Sequence, residues 1–185
     1  DTAKLFFEEL GISPSERLME QFDQMSSQLK HVKPKEIQDI KQRLKEEKGQ
    51  GGAYYCSLPS FRDSYRLVTR MLERSGQSAY LMLCSLTDGK GHPLEKPEKL
   101  ELLSEELQNT IQHCLRKGGS FTKYSPSQYL VLLIGTNKEN CGLIFDRIRK
   151  YFAREHRSWN KYVEFYVSSV AEVDNLDTPI QFRND

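Results

Sequence analysis

Residues Ala79 to Leu86, reading Ala-Tyr-Leu-Met-Leu-Cys-Ser-Leu, are almost continuously apolar. A strand with one wet face alternates apolar and polar residues, whereas a run this uniform reads as a strand covered on both faces. The segments around it have a different period. Phe61, Tyr65, Val68 and Leu72 recur at helical spacing before it, and Leu100, Leu103, Leu107, Ile111 and Leu115 after it. The second helix is expected to start near Pro97 and to stop at Gly118-Gly119. Phe121 to Tyr124 and Tyr129 to Ile134 then read as two strands around a Ser125-Pro126-Ser127 turn. Thr136-Asn137-Lys138-Glu139 reads as a capping box opening a helix that carries Ile144, Ile148 and Phe152. Val163, Phe165 and Val167, alternating with Tyr162, Glu164 and Tyr166, close the pattern as a strand.

The order is thus β, α, ββ, α, β behind a leading helix. It predicts an α+β, ferredoxin-like antiparallel sheet with helices packed on one face, preceded by short α-helical segments. The front of the chain has another texture. Phe6, Phe7 and Leu10 end a helix stopped by Gly11. Ser13-Pro14-Ser15-Glu16 reads as a capping box, and Leu18, Phe22, Met25 and Leu29 follow at helical spacing. Pro34 starts a further helix with Ile37, Ile40 and Leu44 on one stripe. Gly49-Gln50-Gly51-Gly52 is the clearest linker. The expected organisation is a helical segment over 1–48, a linker over 49–52, the α+β domain over 53–172 and a tail over 173–185.

Charge and chemistry narrow the function. With 27 Lys+Arg against 26 Asp+Glu, the formal net charge is +1. A chain that grips a nucleic-acid backbone over a broad face is usually strongly basic. No apolar run approaches the roughly 20 residues of a membrane span, so no membrane partner is expected. Cys56, Cys84, Cys114 and Cys141 are far apart in sequence and form no CxxC pair, as expected of free thiols in a reducing cytoplasm. No two of His31, His92, His113 and His156 have the i, i+4 spacing of a helical zinc site, and no metal or cofactor is expected. Gly89-Lys90-Gly91-His92-Pro93 lacks the ending of a phosphate loop and reads as an ordinary loop. The basic run from Arg147 to Lys161, interleaved with Tyr151 and Trp159, reads as a solvated helix face.

From Leu58 to Val170 the wording resembles a known family. The quoted segments are Leu58-Pro59-Ser60-Phe61, Tyr80 to Ser85, Leu115 to Tyr124, Tyr129 to Leu133 and Val163 to Val170. They resemble, in order, the elements of the GGDEF domain, the diguanylate cyclase fold of bacterial signalling. The resemblance places the signature turn Gly-Gly-Asp/Glu-Glu-Phe at Ser125-Pro126-Ser127-Gln128-Tyr129. The family's turn glycines let the backbone approach a nucleotide, and its acidic third residue holds metal. Ser125, Pro126 and Ser127 offer neither. The second metal carboxylate of the family falls at Ser85, or at Thr87 two residues on. Asp88 would point to the other face of a strand. Arg116 matches the Arg of the family's product-binding Arg-x-x-Asp, with Gly119 in place of the Asp, and Lys123 stands where an Arg often precedes the hairpin.

Phosphoryl transfer depends on metals that neutralise the triphosphate, so the resemblance implies a domain that is not an enzyme. Ser85, Arg116, Lys123, Ser125 and Ser127 would then line a ligand-binding remnant. Leu5 to Ser15, with Glu8-Glu9-Leu10-Gly11-Ile12-Ser13-Pro14-Ser15, resembles a second family, the bacterial transcriptional activator domain of antibiotic-regulator transcription factors. This implies a cytoplasmic regulator that meets DNA only through an N-terminal domain lying upstream. The expected role is a regulatory, sensory or protein-interaction domain, with a small-molecule or nucleotide effector and self-association as its partners. The alternatives are a nucleotide cyclase-type enzyme drawing on Asp88 and Glu139, or a structural dimerisation domain pairing through residues 34–46.

Overall fold

The computed structural model describes residues 21, 24, 37–45, 51–171 and 180–182. The chain divides into two compact units, Asp1–Lys48 and Gly49–Asp185. In the first unit, helix α1 (Ile37–Arg43) exposes Ile37, and Leu44 just after it is exposed as well. The Ser13 capping box, the stripe from Leu18 to Leu29 and the Leu5–Ser15 phrase lie outside the described residues, apart from Gln21 and Gln24.

The second unit runs β1 (Tyr54–Tyr55), α2 (Leu58–Ser75), β2 (Ala79–Leu86), α3 (Pro97–Cys114), β3 (Ser120–Ser125), β4 (Gln128–Ile134), α4 (Lys138–Phe152), a 3-10 turn (Arg157–Tyr162), β5 (Val163–Ser169) and β6 (Ile180–Phe182). The strands form one sheet in the order β1-β3-β4-β2-β5-β6. All pairings are antiparallel except the two-residue β1–β3 contact, which is parallel, so the sheet is mixed. Among the described residues no helix is long and apolar enough to cross a membrane.

The β2 run sits at the centre, between β4 and β5. Successive side chains of a strand point to opposite faces. Met82, Cys84 and Leu86 meet Leu103, Leu107 and Ile111 of α3 and Phe145, Ile148 and Phe152 of α4. Ala79 and Leu81 belong to a second cluster with Phe61, Val68 and Leu72 of α2. The helices are therefore not all on one face, as the sequence had suggested: α2 covers one side of the sheet, and α3 and α4 cover the other. Helical periodicity shows that a stripe must be buried, but it does not say on which side. Cover on both sides is what the uniform apolarity of β2 requires.

Local chemistry sets the element ends. Ser57 caps α2 by accepting from Ser60 N–H, and Gly76, at φ +65°, closes it. The α4 cap is Asn137, whose Oδ1 accepts from Asn140 N–H at 2.8 Å, rather than the Thr136 capping box expected. Gly52 has φ +84°, and a Cβ there would stand 1.7 Å from the Gln112 carbonyl oxygen, so the chain enters β1 through a gap only glycine fits.

Candidate functional site

The β3–β4 hairpin brings its turn against the end of β2. Leu86 N–H donates to Ser127 O at 2.8 Å, which anchors the turn to the central strand. Ser125 Oγ donates to Gln128 Oε1 at 3.1 Å and accepts from Ser127 N–H at 3.4 Å. Gln128 Nε2 reaches Ser85 Oγ at 3.4 Å. Ser85, Ser125 and Ser127 thus stand together at the hairpin turn. Ser85 is also the direct cross-strand neighbour of Glu164 on β5. Glu164 accepts from Tyr166 Oη at 3.0 Å and, at 3.5 Å, from Thr87 Oγ1, which itself accepts from Gly89 N–H. The result is a row of polar side chains across three strands: one carboxylate and a series of neutral hydroxyls and an amide. Gln128, Glu164 and Tyr166 were not singled out from sequence. The signal available was the β5 alternation, which sends Glu164 and Tyr166 to the face opposite Val163, Phe165 and Val167.

Asp88 lies beyond the end of β2 and turns back on its own loop. Its Oδ1 accepts from Lys90 N–H at 2.7 Å and His92 N–H at 3.1 Å, and its Oδ2 is 3.3 Å from His92 Nδ1. The Lys90 N–H, then those of His92, hold its carboxyl below the ordinary range. Asp88 is a loop-closing residue. Among the described residues no three His, Cys, Asp or Glu side chains converge as a metal set.

Lys123 and Arg116 stand apart from the serines. Lys123 pairs in register with Tyr129, on the α3 side of the sheet, and lies 6.0 Å above its ring. Tyr129 is buried and bonded to Ser104 and Gln108. Burial raises its hydroxyl pKa, and its Ser104 bond opposes that shift. Arg116 precedes β3, and the serine turn follows it, so the six-residue strand, about 17 Å long, separates them.

Arg116 instead lines a separate cavity of about 400 Å³ with Lys117, Gly119, Thr136, Asn140 and Arg147. This cleft opens between the approach to β3, the end of β4 and the start of α4. It contains three cationic side chains and no carboxylate. Arg147 reads in the sequence as part of the solvated basic run, because it joins Arg116 at the cleft only when α4 folds back onto the sheet. Other members of that run have partners: Arg154 pairs with Glu106 and covers the Tyr151 ring, and Arg149 lies 3.8 Å from Asp146.

Two solved structures share the fold. The GGDEF domain of DgcB from Caulobacter crescentus, solved in complex with c-di-GMP, is 11% identical, with a TM-score of 0.51 over 68% of this chain and 80% of that one. Diguanylate cyclase SiaD from Pseudomonas aeruginosa, solved with its activator SiaC, is 14% identical, with a TM-score of 0.53 over 94% of this chain and 66% of that one. The fold is that of the GGDEF domains. No protein-family model matches the sequence, and no curated protein matches it. The expectation that the chain is not an enzyme is corrected by these neighbours. Both are described as diguanylate cyclases or their GGDEF domains, so the fold is one that enzymes carry.

Proposed function

We propose that the GGDEF-fold unit is a signalling domain that binds a phosphate-bearing nucleotide in the cleft beside Arg116 and Arg147, and thereby regulates a bacterial transcription regulator. The observation that carries this reading is the convergence of Arg116, Lys117 and Arg147 on one cavity with no opposing carboxylate. Its volume of about 400 Å³ lies in the range of small-molecule sites. Guanidinium groups present forked donors that match phosphate oxygens two at a time. Gly118 and Gly119 keep the rim free of side chains, and Asn140 and Thr136 add neutral polar groups for a base or sugar. The c-di-GMP held by the DgcB domain makes a cyclic dinucleotide the first ligand to try. The regulator context rests on the Leu5–Ser15 phrase, with DNA contacted through an upstream domain.

Isothermal titration of residues 1–185 with c-di-GMP and with GTP tests the reading. A charge-assisted contact contributes about 1.5–3 kcal/mol, so Arg116→Ala and Arg147→Ala should each weaken binding by about tenfold or more. No binding of either nucleotide at millimolar concentration, or binding that ignores both substitutions, overturns it.

A further inference from the structure

Helix α2 carries four arginines at a strict interval of four, Arg62, Arg66, Arg70 and Arg74, all exposed. On a helix of 3.6 residues per turn they form one slowly winding stripe, with successive arginines about 6 Å apart along the axis. This stripe lies opposite the buried Phe61, Val68 and Leu72. Leu67 and Met71, 60% and 58% exposed, run along one side of it, so that border is apolar. The acidic groups on this face are Asp63, 3.5 Å from Arg66, and Glu73, leaving the stripe positive.

Helix α3 presents the complement. Glu98, Glu101 and Glu105 are exposed along one stripe, with Leu102, 55% exposed, beside them. The neighbouring cation Lys99 is already engaged, donating to Tyr162 Oη at 2.8 Å, while Lys96 is exposed just before the helix. The glutamates span about 10 Å of axis, close to the roughly 12 Å from Arg66 to Arg74. The two stripes cannot meet within one molecule, because α2 packs on one face of the sheet and α3 on the other.

We infer that the arginine stripe of α2 docks on the glutamate stripe of α3 in a second copy of this chain. Leu67 and Met71 pack beside Leu102 in this contact. The two surfaces differ and lie on opposite faces, so the association is heterologous and continues head to tail. Exposed ion pairs are each weak and screened by salt, so assembly depends on several acting together. It gains mass with concentration and loses it with ionic strength.

Light scattering on the full 185-residue chain tests this. The average mass should rise with concentration in 20 mM salt and return to the monomer value in 500 mM. The R66E/R70E and E101R/E105R variants, changed only at exposed positions, should each stay monomeric while keeping the wild-type circular dichroism spectrum. Their mixture should associate, because the reversed α2 of one matches the reversed α3 of the other. A mass independent of concentration, variants that associate as wild type does, or a mixture that stays monomeric would each overturn the inference. So would monomeric protein whose R66E/R70E form loses affinity for vesicles of 3:1 phosphatidylcholine and phosphatidylglycerol, which would give the stripe to a lipid surface.

Discussion

Replacing Ser85 with Asp tests the geometry of the serine row. Ser85 and Glu164 are directly opposed on β2 and β5, and such cross-strand pairs hold their Cβ atoms about 4.5–5.5 Å apart. Two carboxylates about 5 Å apart at an effective dielectric constant near 20 repel by about 3 kcal/mol. Both positions are half-buried, so solvent reduces this to about 1–2 kcal/mol. For a chain of this size that lowers the melting temperature by about 3–6 °C. Ser85→Asn, nearly the same shape without the charge, should leave the melting temperature close to wild type. A paired carboxylate is also a hard oxygen site, so millimolar Mg²⁺ or Mn²⁺ should recover most of the loss in S85D and do nothing for S85N. Differential scanning calorimetry in EDTA and in each metal reads all of these values. Equal melting temperatures for S85D and S85N in EDTA, or no metal response in S85D, would refute the opposition of residues 85 and 164.

Three further outcomes follow from the packing. Phe145→Ala removes a ring stacked on Phe165 at 5.0 Å between centroids and should cost about 3–5 kcal/mol by urea denaturation. Gly52→Ala drives a Cβ into the Gln112 carbonyl and should lower the melting temperature more than Gly76→Ala, where a positive φ is strained but the space is open. Burial pushes the Cys141 thiol up to about 11 from its ordinary 9.0 and raises Cys84 further. The folded state then keeps thiol protons that the unfolded chain releases, so stability should fall as pH rises above about 9. The urea midpoint should drop between pH 8 and pH 10, and Cys141→Ala should make that drop shallower.

The parts of the fold readable in the sequence were those where side-chain chemistry repeats. The apolar run of β2, the β3–β4 hairpin around Pro126 and the stripes of α2 and α3 each announce themselves through burial. The side of the sheet that α2 covers did not, because the Phe61–Leu72 stripe is equally content against either face. β1 was invisible for another reason: Tyr54 and Tyr55 are both exposed, and two residues cannot show a period. The hairpin site was half readable. Ser85, Ser125 and Ser127 could be placed by resemblance, whereas Glu164 joins them only through the β2–β5 register. Arg147 was missed as a cleft residue because it is far from Arg116 in sequence, and its helical surroundings look like any solvated basic face.

Nucleotide binding at the Arg116 cleft is best tested by titrating the isotopically labelled chain with c-di-GMP and following backbone amide resonances. Saturable shifts should centre on residues 116–119, 135–140 and 147, and should disappear in the Arg147→Ala protein. Shifts confined to residues 85 and 125–128, or no shifts at millimolar ligand, would contradict the account.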